Sequence, residues 1–126
     1  SFGALKVGMD LLLQQEKVEI DAIYGHGGIF KTKGVAQNYL AAALNTPVSV
    51  METAGEGGPW GMALLTAYLV HKAEGESLAD YLEHHVFAGA VGTSVDPDPK
   101  DVEGFEAYAN RFKNAIAVEQ TAVDKL

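Results

Sequence analysis

No cysteine occurs among the 126 residues, which excludes disulfide frameworks, zinc–thiolate sites, iron–sulfur clusters and a cysteine nucleophile. A reducing, cytoplasmic setting suits such a chain. Basic residues are also scarce: 9 Lys and Arg stand against 17 Asp and Glu, a net charge of −8. Such a surface repels phosphate backbones and anionic lipid, so neither nucleic acid nor a membrane is an expected partner. Long apolar runs are missing too. The longest, Met62 to Val70, is interrupted by Thr66 and falls far short of the ~20 residues that a bilayer span needs. No signal-peptide pattern is read at the start of the sequence.

What is present describes one domain over residues 1–126. Hydrophobic residues make up 48% and charged ones 21%, both near globular averages. A domain of this length buries roughly two-thirds of the surface its unfolded chain exposes and folds without covalent staples. Leu5, Met9, Leu12 and Leu13 recur at helical spacing within Phe2 to Gln15. Val18 to Tyr24 is rich in β-branched residues and reads as a strand entering Gly25-His26-Gly27-Gly28. Val35, Ala36, Tyr39, Leu40, Ala43 and Leu44 then describe a helix that stops at Asn45-Thr46-Pro47. A second strand, Val48 to Met51, leads through another glycine-dense run to a helix that opens near Pro59 and ends about Lys72. Its small residues Gly61, Ala63 and Ala67 suit close backbone approach, and Trp60 and Met62 read as packing residues. Ser77, with Asp80 three positions on, caps a further helix that ends before Gly89. Gly89 to Asp101, which holds Asp96-Pro97-Asp98-Pro99, reads as a surface loop because two prolines remove amide donors. Phe105, Tyr108, Ala109, Phe112 and Ile116 mark a long closing helix with an aromatic stripe.

The strongest chemical signal is the segment Gly25 to Lys33 between a strand and a helix. Glycines let a ligand approach the backbone, free amides at a helix start favour an anion, and Lys31 and Lys33 add positive charge. A nucleotide phosphate fits that description. So does a tight turn carrying two solvated lysines, and both readings stay open. Phe30 stands where GxGxxG needs its third glycine, and no GxxxxGK[ST] register can be drawn, so neither dinucleotide fingerprint nor Walker loop is present. Gly55 to Gly61 reads as a structural turn, since Glu56 disfavours an anion there. Glu83-His84-His85 reads as a solvated helix end, because successive helical residues point about 100° apart and share one ion poorly. Asp96 and Asp98 offer too few oxygen ligands for calcium. There is no nucleophile elbow and no HExxH.

Taken in order, Gly25-His26-Gly27-Gly28, then Ala43-Leu44-Asn45-Thr46-Pro47-Val48, Glu52, and Trp60-Gly61-Met62-Ala63-Leu64-Leu65-Thr66-Ala67 resemble the C-terminal domain of FGGY-family carbohydrate kinases. The family includes xylulokinase, ribulokinase, gluconokinase and glycerol kinase. The Pro97-Asp98-Pro99 segment before Phe105, Tyr108 and Phe112 also resembles the family's C-terminal end. The resemblance implies an α/β fold, a ribonuclease-H-like lobe of the actin-like ATPase kind with helices covering a small sheet. It implies a fragment of a larger two-lobe kinase that phosphorylates a sugar or polyol, such as a pentulose, with ATP and Mg2+. Gly27 and Gly28 then match glycines near adenosine, Thr32 matches a polar residue at adenine, and Lys31 lies beside them, whereas His26 replaces a family glycine. The family's catalytic aspartate belongs upstream of the matched region, so no catalytic residue and no metal ligand is assigned here. The sugar would be bound chiefly by the missing N-terminal lobe. An isolated lobe is expected to expose apolar surface and to self-associate. The rival from another class is a non-catalytic actin-like assembly or regulatory module.

Overall fold

A computed structural model describes residues 1–20 and 22–125, and all of these but the side chain of Glu56. The chain is a small α/β unit. Helix α1 (Phe2–Asp10) continues through a π-helical turn to Gln15. Strand β1 (Ile23–Gly25) is followed by a short 3-10 turn, Gly28–Lys31, and helix α2 (Val35–Leu44). Strand β2 (Val48–Met51) and a second 3-10 turn, Ala54–Glu56, lead to helix α3 (Gly57–His71). Helix α4 (Leu78–Tyr81) runs into a π-helical turn ending at Val86. Strand β3 (Gly92–Val95) and helix α5 (Pro99–Lys125) complete the described chain.

The sheet is mixed, in the order β1-β2-β3. β1 and β2 run parallel with Ile23 opposite Val48, a pairing that needs a crossover, which α2 supplies. β3 returns antiparallel to β2 with Val50 opposite Thr93. The core lies where α2 meets this sheet: Leu40, Ala41, Ala43, Leu44 and Val48 form its centre, with Phe2, Met9, Ile23, Phe30, Val50 and Phe105 packed around them. α2 can bury so much because four of its residues are alanines, which let α1 and α5 approach its outer side. It ends where Asn45 turns left-handed at φ 47° and its amide bonds back to Ala41, as helices ending in an αL residue do.

α1 and α5 are fastened by charge rather than by the leucines. Lys6, 7% exposed, donates to Asp10 and to Glu106 of α5 at 2.7 Å each. Lys113 reaches Asp10 at 3.4 Å. Burial acts to lower the Lys6 pKa, but the hydrogen bonds to Asp10 and Glu106 outweigh it and raise it above 10.5. Burial acts to raise the Asp10 pKa, and Lys6 and Lys113 together hold it below its ordinary 3.8. Gly3 makes the close approach, since a Cβ there would stand 2.9 Å from the Phe112 ring.

Several expectations are corrected. Paired strand is confined to Ile23–Gly25; Lys17 turns at φ 53° and the Val18 amide closes onto Leu12, so that stretch finishes the preceding helix. Asp21, within the expected strand, lies outside the described residues. The expected loop from Gly89 to Asp101 contains β3, and Pro99 opens α5. The prolines fall after the strand and at a helix's first turn, where no amide donor is needed. Leu5, Leu12 and Tyr39 are exposed rather than core, because the covered faces of α1 and α2 carry Gly3, Lys6 and the alanines instead. Met62 is 68% exposed and no residue of α3 is buried. A Cβ at Gly61 would meet nothing within 4 Å, so close helix approach does not occur there. Ser77 does cap α4: its hydroxyl accepts from the Asp80 amide at 3.1 Å and donates to the Asp80 carboxylate at 2.6 Å.

Candidate functional site

Two glycine-rich segments, one after β1 and one after β2, interlock. The Gly27 amide donates to the Ala54 carbonyl at 2.7 Å, and the Phe30 amide donates back to Gly27 at 3.0 Å. A Cβ at Gly25 would stand 2.5 Å from the Phe30 ring, one at Gly55 3.0 Å from the Lys31 stem, and one at Gly57 against His26. The glycines thus make room for side chains of the first loop. Gly27 has φ 101° and ψ 177°, a region that only glycine occupies freely. Gly28 has no positive φ, and a Cβ there would meet nothing within 4 Å. Gly27, and not Gly28, therefore carries the conformational requirement of the turn.

Above this interlock opens a cavity of about 660 Å3. One wall is residues 30–34, the floor is residues 50–55, and the far wall is residues 91–93 with Val95; Gln37 and Trp60 complete the lining. Of the residues singled out from sequence, Lys31 and Thr32 face this cavity, whereas Gly27 and Gly28 are not among its lining residues and serve the turn behind it. Lys33 joins them on the same wall. Charge is divided between two lysines on one wall and Glu52 on the floor, with Thr32 beside the lysines, Thr53 beside Glu52 and Thr93 on the far wall. Such a set is chemically suited to an anion at the lysines and a polar group at the threonines, with Phe30 and Trp60 as its aromatic lining.

Sequence reasoning missed Gln37, Trp60 and Thr93 as cavity residues. Gln37 carried a signal: it is a polar residue inside an otherwise apolar helix, and it is 4% exposed. Trp60 is half-buried against Phe87, with ring centroids 5.9 Å apart. A second groove, about 770 Å3, lies between α1, α2 and the start of α5 and is lined chiefly by Phe2, Tyr39, Phe105 and Tyr108. It lacks the paired lysines and the glycine turn. The His84 and His85 segment is exposed: His85 pairs with Glu76 at 3.1 Å, and His84 bonds to the Asp80 carbonyl. Among the described residues no three His, Asp or Glu side chains are grouped to hold a metal ion. None of the helices among these residues is long and apolar enough to cross a membrane.

Comparison with known proteins adds one finding. A family model described as the FGGY family of carbohydrate kinases, C-terminal domain, matches residues 1–70. That span covers β1, the glycine turn, α2, β2 and almost all of α3. No curated protein and no solved structure matches the chain.

Proposed function

We propose, from the premise that this chain belongs to the FGGY family of carbohydrate kinases through their C-terminal domain, that it is the nucleotide-binding part of an ATP-dependent sugar kinase. Phosphotransfer to a sugar hydroxyl is the family's activity, and a pentulose or related polyol is the substrate class put forward. The observation that carries the nucleotide assignment is the cavity over the glycine turn, where Lys31, Lys33 and Thr32 share a wall and Trp60 is part of the lining. Lys31 and Lys33 neutralise phosphate charge, Thr32 makes a polar contact to the base, and Gly27 and Gly28 shape the turn that positions them.

The residues present suit the nucleotide and not its metal. Mg2+ bound with the nucleotide would supply charge neutralisation for phosphoryl transfer. The chain's own part is to bind and orient the nucleotide. In this reading the lobe is ribonuclease-H-like, residues 1–126 are one domain of a two-lobe kinase in the cytoplasm, and the other lobe brings the sugar and the general base. The 126-residue chain assayed with MgATP and a panel of pentuloses and polyols should show no sugar-dependent ADP release. Robust release by this chain alone would contradict the lobe assignment. In a full-length kinase, Thr32→Ala and Lys31→Ala should raise the KM for ATP more than that for the sugar; equal changes would remove both residues from the nucleotide site.

A further inference from the structure

The far wall of the cavity is held by surprisingly little of its own. β3 is a four-residue strand at the sheet edge, and three of its residues, Gly92, Thr93 and Ser94, are exposed. Apolar burial therefore contributes little to keeping it in place. Besides its ladder to β2 and an exposed hydroxyl contact, Ser49 donating to Ser94 at 3.2 Å, β3 is held by Gln37. The Gln37 Nε2 spends one hydrogen on the Val48 carbonyl at 2.8 Å and the other on the Thr93 carbonyl at 2.9 Å, and its Oε1 accepts from the Thr93 hydroxyl at 3.3 Å. One buried amide thus ties α2, the helix that follows the glycine turn, to both β2 and β3. The near wall of the cavity leads directly into α2; the far wall is β3 itself.

We infer that Gln37 is a positioning residue: it fixes β3 as the far wall of the cavity and sets the distance between that wall and Lys31, Thr32 and Lys33. The inference rests on the nucleotide reading for its functional consequence, but not for its structural content. No other side chain among the hydrogen bonds of the described residues joins α2 to both strands. Removing the amide leaves two strand carbonyls without this donor, and an edge strand with little apolar burial has few other contacts to hold it in place. The core face of α2, which depends on Leu40, Ala41 and Leu44, does not need Gln37 in the same way. The effect is therefore local to β3.

Two variants of the full 126-residue chain test this. Gln37→Met keeps the side chain's bulk and removes all its hydrogen bonds. Gln37→Glu keeps its shape and turns a donor toward two carbonyl oxygens into a carboxylate, which regains one donor only when protonated. Lys31, Lys33 and Glu52, the charged groups of the cavity, are common to all three proteins, so a pH difference between native and variant reports on position 37. Amide hydrogen exchange is read at pH 8 and pH 5, each variant against the native chain at the same pH. The expected result is exchange in Gly92–Val95 roughly tenfold or more faster in both variants at pH 8, with Leu40–Leu44 still protected. At pH 5 the Gln37→Glu excess shrinks and the Gln37→Met excess does not. MgATP affinity, read from the emission of Trp60, should fall with the loosening of β3 and recover in Gln37→Glu at pH 5.

Unchanged β3 exchange in two folded variants would overturn the assignment, and so would equal acceleration throughout the α2 core, which marks general destabilisation. Should the native chain fail to bind MgATP while β3 still loosens, the nucleotide reading falls and the role of Gln37 in holding the wall stands.

Discussion

α2 and α3 are built on the same plan, a short strand, a glycine turn and a helix, and they meet opposite fates. Seven of the ten residues of α2 are buried. None of the fifteen residues of α3 is buried, although it contains no Asp, Glu, Lys or Arg. Met62, Leu69 and Val70 are each about 70% exposed or close to it. Apolar content therefore did not decide which helix became core. Position did: α2 is the crossover between two paired strands and is roofed by α1 and α5, whereas α3 departs beyond β2 and is touched at a few points, Trp60 against Phe87 and Tyr68 against Tyr81 of α4 among them. An exposed apolar surface of this size in a chain of net charge −8 is suited to contact with further polypeptide.

Truncating one leucine in each helix breaks the comparison most directly. Leu40→Ala should destabilise the fold by about 2–5 kcal/mol. Leu69→Ala, at a position 74% exposed, should stay within about 0.5 kcal/mol. Denaturant unfolding of both variants gives the two values, and similar losses would mean that α3 is covered in solution.

The roof over α2 offers the next test. Asp10→Ala leaves the buried Lys6 with Glu106 alone and should cost about 1–3 kcal/mol at neutral pH. Because the Asp10 pKa is lowered in the folded chain, its contribution is present above its ordinary 3.8 and is lost as the pH falls through the lower folded value. The Lys6 pKa is raised, so its contribution holds below 10.5 and disappears as the pH climbs through the higher folded value. Stability measured against pH should fall at both ends, and in Asp10→Ala the acid fall should be shallower.

At the turn that launches α2, Gly27→Ala should cost about 1–3 kcal/mol because of its backbone region. Gly28→Ala should change stability by less than about 0.5 kcal/mol, since its Cβ meets nothing within 4 Å. Equal losses would show that the turn differs from the one described. The smallest effect on stability is expected from Met62→Glu with Leu69→Glu, again within about 0.5 kcal/mol, but self-association and the binding of an apolar dye should decline. Unchanged association would place the sticky surface elsewhere.

The helices were legible in the sequence because apolar spacing and caps such as Ser77 are local signals. β3 was not, since Gly92-Thr93-Ser94-Val95 shows little apolar alternation and precedes two prolines. Its strand character comes from β2 and from Gln37, 56 residues away from Thr93 in sequence. The direction of burial was hidden for the same reason: Tyr39 and Leu5 keep the helical period, yet what covers a face is set by elements far along the chain. Of the cavity, the lysine and threonine wall could be read from the glycine turn. The floor at Glu52 and the far wall at Thr93 required the fold, and so did the finding that Gly27 and Gly28 support the wall from behind.

The central claim is that a nucleotide occupies the cavity between the glycine turn and β3. The most direct measurement is an MgATP titration of the 15N-labelled chain followed by amide and indole resonances. The account predicts saturable shifts gathered at residues 30–34, 52–55 and 91–93 and at the Trp60 indole, with the groove beside Tyr39 and Tyr108 unmoved. A folded chain that shows no saturable shifts, or shifts gathered in that groove instead, would contradict it.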